Sequence, residues 1–119
     1  MADLDAVEAR IWGLLEPYRE ELEDATIYGM PSLRWPGSGG HDYFAAVKRS
    51  PHKVSLYAIA VDTWPEALEG CSDRFRTCRT GKATFSFPSL DDDLSAELER
   101  FLRRLYQPYR QHHAGSSAT

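Results

Sequence analysis

The stretch from residue 28 to residue 61 constrains the fold more than any other part of the chain, because strand-like runs follow one another there with short, breaker-rich turns between them. The first run starts at Thr26 and reaches Trp35. Pro36-Gly37-Ser38-Gly39-Gly40 then reads as a turn, being nearly all residues that break regular structure or tolerate positive φ. Residues 42 to 48 form a second strand, closed by Arg49-Ser50-Pro51-His52, and residues 53 to 61 a third. Connections this short join antiparallel neighbours, so the three make a meander. Pro31 lacks the amide that a ladder needs, which assigns it to an edge or a bulge. The third strand is apolar on both faces and therefore central.

Upstream, Leu4, Val7, Ile11, Leu14, Leu15, Tyr18 and Leu22 recur at steps of three and four, the stripe of an amphipathic helix. Pro17 implies a kink there, or a second short helix with the proline in its first turn. Downstream, Thr63-Trp64-Pro65-Glu66 fits a capping box opening a helix with the stripe Trp64, Leu68, Cys71, Phe75 and Cys78, which Gly81 is placed to end. Residues 82 to 88 alternate as a strand. Asp91-Asp92-Asp93 opens a last helix through Leu94, Leu98, Phe101, Leu102 and Leu105, which Pro108 ends or bends. The expected fold is α+β, in the order α-β-β-β-α-β-α, with a four-stranded, largely antiparallel sheet and helices mainly on one face. It forms a single domain over residues 1 to 110, followed by a small polar tail over 111 to 119 expected to be disordered.

Charge narrows the partners. The 119 residues carry a net −4, and residues 1 to 30 hold eight acids against Arg10 and Arg19, a balance of −6 that leaves +2 for the remainder. This argues against nucleic acid or an anionic membrane as the main partner. No apolar stretch approaches the roughly 20 residues of a membrane span, and the first residues lack the pattern of a signal peptide, so a cytoplasmic location is expected. Cys71 and Cys78, seven apart on one expected helix, would lie roughly 10 Å apart, too far for a disulfide.

Tyr28-Gly29-Met30-Pro31, then Tyr43-Phe44-Ala45-Ala46-Val47-Lys48, then His52 and Leu56-Tyr57, then residues 80 to 87 before a leucine-rich helix, resemble the YdhG-like domain family. The resemblance covers roughly residues 5 to 107. It implies an α+β fold likened to frataxin and, as some members are described as intracellular iron chaperones, an alternative role in carrying iron. The Pro36 to Gly40 turn and Trp35 depart from many relatives.

Two candidate sites follow. Tyr28, Met30, Trp35, Tyr43, Lys48 and Tyr57 could gather into an aromatic groove with one ammonium, suited to a small ligand or a partner protein, with Lys48 drawn partly inward near Tyr28 or Tyr57. Glu16, Glu20, Glu23 and Asp24 form a carboxylate stripe that could hold a hard cation, iron under the family alternative; otherwise no cofactor is implied. Single aromatics are mostly packing and a charge run is usually a solvated face, so each site has a bland counterpart. No catalytic constellation emerges: the serines lack an elbow motif, and His41, His52, His112 and His113 have no evident nucleophile. Binding without catalysis is the leading expectation. A dimerising module, with an exposed apolar patch and a symmetric interface, is the third class.

Overall fold

A computed structural model describes residues 4–36 and 43–116, with side chains to residue 113. Residues 37–42, which include most of the expected glycine turn, His41 and the start of the second strand, lie outside the described residues, as do 1–3 and 117–119. Helix α1, Leu4–Leu15, buries Val7, Ile11 and Leu15 at the predicted spacing. Pro17 then sits in the first turn of a 3-10 segment, Glu16–Glu20. There its missing amide has no helical acceptor to lose.

The sheet has five strands, not four, in the order β1-β2-β3-β4-β5, every pair antiparallel. The expected first strand is a hairpin. Strands β1, Glu23–Ile27, and β2, Met30–Arg34, pair across a two-residue loop whose Tyr28 and Gly29 have φ of 51° and 78°. Positive φ at both central residues is the type I′ turn, whose twist matches that of the flanking strands. Pro31 accordingly lies on an inner strand rather than an edge. It is paired with Thr26 of β1, and the β2 to β3 register begins one residue later at Ser32 and Ala46, so no ladder bond to β3 is lost.

Strand β3, Tyr43–Arg49, shifts register between Leu33 and Arg34 of its neighbour. The extra residue there is Phe44, so Phe44 and Ala45 both turn toward the helices. Strand β4, Val54–Tyr57, is shorter than predicted, because Ile59–Asp62 winds into a 3-10 turn. Strand β5, Thr84–Phe87, falls within the expected run. Residues 78 to 80 run back along it, with Ser86 N donating to the Cys78 carbonyl at 2.8 Å.

The expected helix from Thr63 is broken in two. Pro65–Leu68 is a 3-10 turn without a side-chain cap, and α2, Asp73–Thr77, starts afresh at Ser72, whose Oγ accepts from Phe75 N. Gly70, at φ 85°, is the cause: a left-handed residue cannot lie inside a right-handed helix. Gly70→Ala is expected to lower unfolding stability by about 1–2 kcal/mol in chemical denaturation, since alanine resists that backbone. Cys71 and Cys78 are free thiols, and burial pushes both pKa values up.

Helix α3, Asp92–Ser116, is capped by Asp91, whose carboxylate accepts from Leu94 N at 2.9 Å and takes both Arg74 amino groups. It runs through Pro108 rather than stopping, so residues 111 to 116 of the expected tail are helical. Packing explains this: Tyr109 is buried, and beyond it His113 stacks on Trp35 and His112 meets Trp64 edge-on.

Helices α1 and α3 cover one face of the sheet. Leu33, Val47, Leu56 and Phe85 point into that layer, where Phe75, Phe85 and Phe101 form one ring cluster and Tyr18, Phe44, Tyr106 and Tyr109 another.

Candidate binding face of the meander

Alternation from these core-facing positions assigns the other side of every strand. On the outer face lie Ile27 and Met30; Arg34 and Tyr43; Ser32, Ala46 and Tyr57; and Lys48, Ser55 and Ser86. Among the described residues no helix or strand is layered over them. The middle of the face is made of small side chains and is polar. Ser55 and Ser86 hydroxyls meet at 3.3 Å, and Thr80 continues the row at 2.8 Å. Ser32 Oγ, almost fully buried between its neighbours, has no hydrogen-bond partner among the described residues.

The structure brings together Met30, Tyr43, Lys48 and Tyr57 on this face and sets Tyr28 at its rim, on the hairpin tip. Trp35 is not with them. It lies on the helical side, 6.3 Å edge-on from Tyr109 and stacked 5.6 Å from His113. Lys48 is exposed rather than drawn inward, with the small Ser55 as its neighbour across the ladder. Tyr43 leans over the hairpin, its hydroxyl donating to the Thr26 carbonyl at 3.3 Å. Tyr28 stands out: its side chain is 91% exposed, and its backbone occupies the left-handed region that costs a non-glycine residue roughly 1–2 kcal/mol.

Electrostatically the face is basic. Arg34 Nε holds Glu23 Oε2 at 2.6 Å, and that bond pushes the Arg34 pKa further up. Lys48, and Lys53 just before β4, are both exposed and make no ion pair among the described residues. Among the described residues, Arg34, Lys48 and Lys53 share the area with Glu23.

No family model, curated protein or solved structure matches the chain. The motif residues singled out in the sequence have definite places: Tyr28-Gly29 is the type I′ turn, and Tyr43 to Lys48 lie in strand β3.

The carboxylate stripe is divided. Glu16 and Glu20 lie in the 3-10 segment, whereas Glu23 and Asp24 are consecutive in β1 and so point to opposite faces. Arg19 binds Glu16 at 3.4 Å and Asp24 at 2.8 Å, and Arg34 holds Glu23. Guanidinium groups thus occupy three of the four, and no group of three metal-ligating side chains converges among the described residues.

Sequence reasoning missed a second concave feature. Trp64, Tyr109, His112, His113 and Tyr43 line a hollow of about 100 Å³ between the end of α3 and the residues after β4. The signal was present: steps of three and four continue from Leu105 through Tyr109 to His112 and His113, past the proline.

Proposed function

We propose that the chain is a non-enzymatic binding domain, YdhG-like in its motif residues, that docks an acidic, extended segment of a partner protein on the outer face of its meander. Tyr28 carries this reading. An aromatic ring held in a left-handed turn and presented to solvent lowers stability, and strained, exposed residues of this kind cluster at contact sites. Lys48 and Lys53, both exposed and without an ion pair among the described residues, favour an acidic occupant, and Met30 and Tyr57 supply apolar area beside them.

The test separates binding from folding. Tyr28→Asn places at the turn a residue that accepts its φ, so the variant should be more stable by about 0.5–1 kcal/mol in urea denaturation. On an array of acidic dodecapeptides it should lose at least tenfold in affinity against the parent protein. Lys48→Glu should lose as much and gain nothing in stability. Equal peptide binding by all three proteins, or selection of basic peptides, would remove the reading. Self-association that Tyr28→Asn abolishes would make the occupant a second copy instead.

A further inference from the structure

We propose that the hollow at the end of α3, built on Trp64 and Tyr109, binds a small organic ammonium. The rings of Trp64 and Tyr109 lie 6.1 Å apart with their planes at 85°, and His112 meets Trp64 at 5.7 Å and 63°. The two rings meet edge to face with Tyr109 buried beneath, so a cation in the hollow is seated over the half-exposed Trp64 ring, within about 6 Å of its centroid, the range over which a ring quadrupole attracts positive charge. Tyr109 is the buried floor and Trp64 the half-exposed wall. The histidine rings, Ile59, Ala60 and Thr63 line the remainder, and Tyr43, whose ring lies on the outer face, borders it.

Size and charge select the ligand class. About 100 Å³ admits one small organic group and is well short of a drug-sized pocket. Residues 54 to 70 contain no lysine or arginine but three exposed acids, Asp62, Glu66 and Glu69, none in an ion pair among the described residues. Asp62 stands immediately before Thr63 and Trp64, two of the lining residues. The guanidinium groups of Arg76 and Arg104 reach only the far end of this segment, at the carbonyls of Leu68 and Ala67. Arg110, on the helix itself, is held at 2.9 Å by both oxygens of Glu21. An electron-rich hollow beside an unopposed carboxylate suits an alkylammonium better than an anion or a neutral ring.

Choline and its neutral isostere 3,3-dimethylbutan-1-ol distinguish charge from shape. Each is titrated into the full chain while the indole N–H resonance of Trp64, assigned through Trp64→Phe, is followed by NMR. Choline should give a saturable shift with a Kd of about 1 mM, and the isostere should bind at least tenfold more weakly. Asp62→Lys changes an exposed residue, leaves the fold intact, and should weaken choline about threefold or more at low salt. The proposal fails if the isostere matches choline, if neither ligand shifts the resonance, or if Asp62→Lys leaves the choline titration unchanged. Because this site lies on the helical side, Tyr28→Asn should not affect it.

Discussion

Phe44→Ala is expected to lower unfolding stability by about 3–5 kcal/mol, the largest effect of any single truncation in this domain. Phe44 is fully buried, with ring centroids 5.5 Å from Tyr18 and 5.2 Å from both Tyr106 and Tyr109. It joins the 3-10 segment Glu16–Glu20, α3 and the sheet at the bulge of β3, so the space left by its ring is walled by three separate elements that cannot all move inward. Domains of this size are stable by about 5–15 kcal/mol, so the variant should show a far lower urea midpoint or no cooperative transition at all. A loss below about 1.5 kcal/mol would mean that the surrounding tyrosines collapse into the gap, and the account of this ring cluster as rigid would be wrong.

Glu21→Ala should have the next largest effect. The buried ring of Tyr106 points its hydroxyl at Glu21 Oε1, 2.7 Å away, and Arg110 Nε donates to both carboxylate oxygens. Truncation leaves a partly buried donor without its acceptor, at about 1–3 kcal/mol. Tyr106→Phe removes the donor and should cost less, and the double variant should cost less than the sum of the two. The pH dependence has two limbs. The Tyr106 hydrogen bond, and then Arg110, hold the Glu21 carboxyl below its usual range. This stabilisation is therefore present above an unfolded value of about 4.3 and is lost as pH falls through the lower folded value. Burial, reinforced by Glu21, pushes the Tyr106 phenol well up, so its contribution is full below about pH 10 and fades as pH rises beyond that toward the folded value. Stability measured from pH 2 to pH 11 should fall at both ends, and Glu21→Gln should flatten the acid limb.

Periodicity made most of the secondary structure legible. The stripes of α1 and α3 and the alternation of β5 follow directly from residue spacing. The hairpin of β1 and β2 did not, because tyrosine is not a usual left-handed residue and Tyr28 carries no turn signal of its own. Ser72 was equally silent: its capping role depends on Gly70 interrupting the preceding turn, and Glu97 of α3 then holds its hydroxyl at 2.7 Å. In the candidate site, parity already separates Met30 from Trp35, five residues apart and so on opposite faces of a strand. The same odd spacing would have divided Tyr43 from Lys48. Only the bulge at Phe44, invisible in residue types, returns them to one side.

Helix α3 follows all five strands in the chain, yet its apolar side shares with α1 the cover of their inner surface. A growing polypeptide must therefore leave Phe44 and Phe85 without their α3 partners Tyr106, Tyr109 and Phe101 until residues 94 to 109 have left the ribosome. During that interval it is a natural client for holdase chaperones, and a product truncated before Leu94 should precipitate rather than persist as a smaller soluble sheet.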